Sequence, residues 1–98
     1  MKTENSREFK RVLKITKEVT GFSWSILQSN FKQDKLVDVR KVLWTYLHQE
    51  LLWTNSEIGK VFGRDQSSIS RGIGSFIYQL PTSDQLKLMV ALSENKKK

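Results

Sequence analysis

Apolar residues recur at intervals of three and four along almost the whole chain, and nowhere do they alternate with polar ones over the length of a strand. That spacing restricts the fold to packed helices. Phe9, Val12, Leu13, Thr16 and Val19 mark the inward face of a first helix over residues 6–20, with Lys10, Arg11, Lys14, Lys17 and Glu18 on the opposite arc. Gly21 suits the left-handed position that ends such a helix, and Ser23 can cap a short second one carrying Trp24, Ile26 and Leu27. The segment SNFKQDK, residues 29–35, reads as a loop.

Asp34 is expected to cap a long central helix over 35–52. Its Leu36, Val39, Val42, Leu43, Tyr46, Leu47 and Leu51 cover so wide an arc that most of it must be buried. Trp44 and Trp53 lie on or beside it and read as core. His48 has no second ligand at metal spacing and reads as an ordinary helix residue. Thr54 and Glu57 match a capping box, opening a helix with Ile58, Val61 and Phe62 that stops at Gly63. Asp65 can cap the next, whose inner face is expected to be Ile69, Ile73, Phe76, Ile77 and Leu80, before Pro81 ends it. Thr82 and Gln85 repeat the box ahead of a last helix with Leu86, Met89 and Val90 facing inward, and 94–98 read as a frayed basic tail. The expectation is an all-α domain of about six helices spanning 1–98, with a helix-turn-helix at 54–80 packed on the central helix.

A chain of 98 residues holds one core and not two. Lys and Arg exceed Asp and Glu by 17 to 10, a net charge of +7, which favours a polyanionic partner. The absence of cysteine rules out a disulfide framework and thiol chemistry, and fits a reducing cytoplasm. The first ten residues, MKTENSREFK, lack the apolar core of a leader, and no run approaches the ~20 apolar residues of a membrane span. No membrane partner is expected.

The stretch FGRDQSSISRG, residues 62–72, departs from its surroundings, placing polar and small residues at the start of an amphipathic helix. With its isoleucines turned to the core, Gln66, Ser67, Ser70, Arg71 and Gly74 point outward. In a helix-turn-helix this amino-terminal turn enters the major groove. Gln can pair with adenine, Arg with guanine, Ser with several edges, and an Asp can accept from cytosine. Gly72 and Gly74 each cost a helix on the order of 1 kcal/mol relative to Ala. They imply close packing against a neighbouring helix or close approach to phosphates, or else simply a weak helix.

The run SEIGKVFGRDQSSI resembles the signature of the carboxy-terminal DNA-binding domain of the bacterial replication initiator DnaA, in the Trp-repressor-like helix-turn-helix superfamily. That pattern reads E-I-G, two variable residues, Phe-Gly, Arg-Asp-His, two Thr or Ser and an aliphatic residue. Glu57, Ile58, Gly59, Phe62, Gly63, Arg64, Asp65, Ser67, Ser68 and Ile69 fall in that order. TGFSWSIL and RKVLWTYL are similar to the family's short second helix and central helix, so the likeness covers roughly residues 8–80. It implies base reading in the major groove by Arg64, Asp65, Gln66, Ser67 and Ser68, with Lys35 as the candidate for the loop residue that enters the minor groove. Lys32, Lys35, Arg40, Lys41, Lys60 and Arg71 are the candidates for backbone contact. Gln66 stands where the family has histidine, a single Gly63 replaces a glycine pair, and the basic loop is reduced to NFKQDK. Lysine also inserts less readily than arginine into a narrow minor groove.

No G-x-x-x-x-G-K-[ST] phosphate loop is present, and GIG at 72–74 follows no strand. The reading is therefore a free-standing module binding double-stranded DNA in a bacterial nucleoid or mobile-element context. It needs no cofactor and no metal, and has a possible protein partner in replication. The alternative is a helical protein-interaction module that regulates a replication or transcription factor without reading bases. Single-strand or RNA binding lacks an exposed aromatic platform, and catalysis lacks a nucleophile with a base, paired carboxylates or a ligand set.

Overall fold

The computed structural model describes residues 6–96. It is all-helical, with no strand among the described residues: α1 (Arg7–Thr20), α2 (Trp24–Gln28), α3 (Asp34–Gln49), α4 (Asn55–Phe62), α5 (Gln66–Tyr78) and α6 (Ser83–Lys96). The starts and stops follow local chemistry. Ser6 caps α1 by accepting from the Phe9 amide, and Gly21, at φ 81°, closes it by donating to the Lys17 carbonyl. Thr54 and Glu57 make both bonds of the capping box on α4, and Gly63, at φ 70°, ends it. Thr82 and Gln85 form the second box, on α6.

Helix α3 is the axis of the molecule. Leu36, Val39, Val42, Leu43, Trp44, Tyr46 and Leu47 are buried around most of its circumference. The α4–α5 pair packs on it, α6 also packs on it, and α1 packs on α6. Rings fill the centre. Phe9 meets Trp24 and Phe62 edge-on and Trp53 at a tilt, and Trp24 and Trp44 each meet Phe62 near 90°. Each such pair contributes on the order of 0.5–1.5 kcal/mol beyond area burial. Trp44 and Trp53 are core residues, as expected from sequence.

Several details depart from the sequence reading. Asp34 is the first residue of α3, not its cap; Gln33 stands at the cap without a side-chain bond, and the Asp34 carboxylate sits in the first turn, where the helix dipole favours it. The central helix stops at Gln49 rather than at residue 52, because the chain wraps back: Trp53 donates to the Leu47 carbonyl while Leu52 takes a left-handed φ of 61°. The His48 Nδ1–H donates to the Trp53 carbonyl at 2.8 Å and ties down the same turn. In α1 the buried side is Phe9, Val12, Ile15 and Thr16, and Val19 is exposed. In α5, Ile77 is half-exposed and Leu80 lies beyond the helix in solvent.

The largest correction concerns α6. Leu86, Met89 and Val90 face outward, while Gln85, Leu88 and Leu92 face in. The phase is set by Gln85, whose Nε2 donates to the Asp38 carbonyl on α3 and so turns the capping residue toward the core. Residues 94–96 continue the helix, so the tail expected from 94 is not frayed there; residues 97 and 98, like 1–5, lie outside the described residues.

Candidate nucleic-acid interface

The α4–α5 turn is held by one tight backbone approach. The Arg64 amide donates to the Gly59 carbonyl, and a side chain at Gly59 would collide with the Arg64 carbonyl, so only glycine fits there. Asp65 then caps α5, its carboxylate accepting from the Ser68 amide at 2.8 Å. That bond, helped by the Ser68 hydroxyl, the Arg71 charge and the Ser67 amide, holds the Asp65 carboxyl below its ordinary range. Ile69, Gly72 and Ile73 are buried behind it. Gly72 is a packing glycine: a Cβ would lie 2.6 Å from the Trp44 ring, whereas one at Gly74 would meet nothing. Close contact with a neighbouring helix therefore explains Gly72 and not Gly74.

The outer side of this tip is an open polar concavity of about 800 Å³ lined by Asn55, Gln66, Ser67, Ser70 and Arg71. Two of the five residues proposed for base reading, Gln66 and Ser67, are brought together here and exposed. Asp65 and Ser68 are bonded to each other as the cap. Arg64 is turned away: its Nη1 donates to the Phe62 carbonyl, its Nη2 to the Ser29 carbonyl at 2.7 Å, and its guanidinium carbon stands 5.8 Å from the centre of the Trp44 ring. Burial lowers its pKa. Arg64 ties the α4–α5 turn to the α2–α3 loop and does not lie on the outer side of α5.

Among the candidates for backbone contact, Arg40 is corrected most sharply. Only 4% exposed, it donates to the carbonyls of Ile26, Leu27, Ser29 and Phe31, so its charge clamps α2 and the α2–α3 loop onto α3 instead of projecting into solvent. Burial, and then the neighbouring Arg64 charge, lower its pKa to about 10. Arg40, Arg64, Lys32, Lys41 and Asn30 surround one cleft of about 310 Å³, floored by Val37 and Trp44. Lys41 also donates to the Ser75 hydroxyl across to α5. Lys32, Lys35, Lys60 and Arg71 are exposed, and Lys35 belongs to the first turn of α3, not to the loop.

Asn55 is the residue that sequence reasoning missed. As the first residue of α4 it lines the same concavity as Gln66 and Arg71, and its buried Oδ1 has no hydrogen-bond partner. Its place directly after the Thr54 cap was the available signal. On its other side Asn55 borders an apolar shelf formed by Leu52, Ile73, Gly74 and Ile77. Among the described residues no cluster of His, Cys, Asp and Glu can hold a metal ion, and no helix is long and apolar enough to cross a membrane. Comparison with protein-family models, curated proteins and solved structures finds no match to this chain.

Proposed function

We propose that this chain binds duplex DNA in a sequence-dependent way through the α4–α5 helix-turn-helix, with the first turns of α5 in the major groove. The observation that carries the reading is the two-sidedness of α5. Ile69, Gly72 and Ile73 are locked against α3, while Gln66, Ser67, Ser70 and Arg71 stand exposed on one rigid, capped turn with hydrogen-bonding capacity to spare. Gln66 and Arg71 are the side chains fitted to two-point contacts with adenine and guanine edges, and Ser67 and Ser70 let the backbone come close. Lys32, Lys35 and Lys60 are exposed and available for phosphate contact, which positions the protein without specifying sequence. Arg64 and Arg40 act one step back by holding the loop against the turn. The likeness of Glu57 to Ile69 to the initiator signature supports a role in replication initiation or its regulation.

Selection of bound duplexes from a random pool tests this directly. Wild type is expected to enrich one sequence with salt-sensitive affinity, and Gln66→Ala to relax the preference while folding normally. An unchanged preference in Gln66→Ala removes the major-groove assignment, and no enrichment at all removes the function. A second reading is favoured by the exposed apolar residues at the other end of α5 and beside it. Leu52, Ile77, Tyr78 and Leu80 are half-exposed or more, as in a helical module that docks a protein. Co-purification of one polypeptide without duplex binding would favour it.

A further inference from the structure

Helix α1 carries five cations, Arg7, Lys10, Arg11, Lys14 and Lys17, and two carboxylates, Glu8 and Glu18. At 100° per residue, Arg7, Lys10, Lys14 and Lys17 fall within an arc of about 80°, centred opposite the buried Phe9, Val12, Ile15 and Thr16, and both glutamates fall outside it. All four cations are exposed, and from Arg7 to Lys17 the stripe runs about 15 Å at 1.5 Å per residue.

The stripe lies opposite the face of α1 whose Phe9 meets Phe62 on α4, and α1 packs on α6, whereas α5 packs on α3 and α4. Lys41 and Trp44 mark the side of α3 that meets α5, through Ser75 and Gly72. Helix α1 packs on α6, and its Phe9 reaches the Trp24, Trp53 and Phe62 rings. The molecule measures 31 by 30 by 24 Å, against a screening length of about 8 Å at physiological salt.

We propose that the Arg7–Lys10–Lys14–Lys17 stripe is a second DNA surface, which takes the phosphates of a duplex segment other than the one met by α5, so that one molecule bridges two segments. The proposal rests on duplex binding by α5. Phosphates of DNA are favoured over an anionic membrane because a helix that lies in a membrane inserts its apolar face. The apolar face of α1 is spent in the core, and the exposed stripe holds charge alone. A purely ionic surface carries no base preference, so the second segment can have any sequence.

The test immobilises a duplex carrying the selected site, adds protein, and measures retention of a fluorescent duplex of unrelated sequence. Wild type is expected to retain it, with a log-log salt slope of about −3.6 for four phosphates neutralised. The triple variant Lys10→Glu, Lys14→Glu, Lys17→Glu should lose retention at least tenfold while binding the immobilised site as wild type does. The corresponding triple Gln variant, with helicity checked by circular dichroism, serves if charge reversal perturbs folding. Site binding without retention by wild type, or equal retention by the variants, overturns the bridge and leaves α5 untouched. If the selected site is not bound, the reading of α5 fails, and the stripe is then judged by direct binding of the unrelated duplex to wild type and variant. Stripe-dependent binding to anionic phosphatidylserine vesicles, with the unrelated duplex ignored at the same salt, overturns the choice of DNA.

Discussion

Helix α5 opens on Asp65, which accepts from the Ser68 amide, and α6 opens on Thr82, which accepts from the Gln85 amide. The two caps do the same local work, yet the first turns they start face different ways. In α5 the turn after the cap is polar, with Gln66 and Ser67 exposed. In α6 the third helical residue, which closes the box, is turned inward, where Gln85 is 5% exposed and donates to the Asp38 carbonyl, and the apolar Leu86, Met89 and Val90 are left outside. A cap says where a helix begins. Which side then faces the core is set by the neighbour it meets, here Trp44 for α5 and the Asp38 carbonyl for α6.

Substitutions that separate the two sides of each helix give the largest effects. Leu88→Ala, at a fully buried position of α6, is expected to lower unfolding free energy by about 2–5 kcal/mol in denaturant titration, against at most about 0.5 kcal/mol for Leu86→Ala. A larger cost for Leu86→Ala than for Leu88→Ala would mean that α6 has the other phase. In α5 the contrast is between two glycines. Gly72→Ala is expected to destabilise by about 1–3 kcal/mol, because its methyl meets the Trp44 ring. Gly74→Ala, with open space around it, should stabilise by about 0.5–1 kcal/mol through helix propensity. If Gly72→Ala is neutral, the α3–α5 contact that orients the tip is looser than described.

The smallest effect sharpens the comparison of caps. The Ser68 amide holds the Asp65 carboxyl below its ordinary range, so its contribution to stability is complete above about pH 5 and is lost as pH falls through the ordinary value and then the lower folded one. The melting temperatures of wild type and Asp65→Asn should therefore differ by a constant amount above about pH 5 and converge in acid. The Thr82 cap has no ionisable group, and Thr82→Ser should show no such convergence.

Much of the candidate site was legible because it depends on local rules. The Thr54–Glu57 box, the stop at Gly63 and the Asp65 cap are contacts between residues within a few positions of each other, so residue type and spacing sufficed. Arg40, Arg64 and Asn55 were not legible in the same way. Nothing local distinguishes an arginine that projects into solvent from one that donates to four backbone carbonyls of α2 and the loop after it, and the Arg64 to Ser29 bond joins residues 35 positions apart.

By itself, the amino-acid sequence determined the helical class, the places where most helices start and stop, and the polar character of the α5 tip, since periodicity, caps and glycine conformations act over a turn or two. Only the tertiary structure decided the phase of α6, the difference between Gly72 and Gly74, and the conversion of two arginines from ligand candidates into clamps. Those outcomes depend on which distant carbonyl or ring lies within about 3 Å, a distance set by the packing of whole helices on α3 and not by any neighbouring residue.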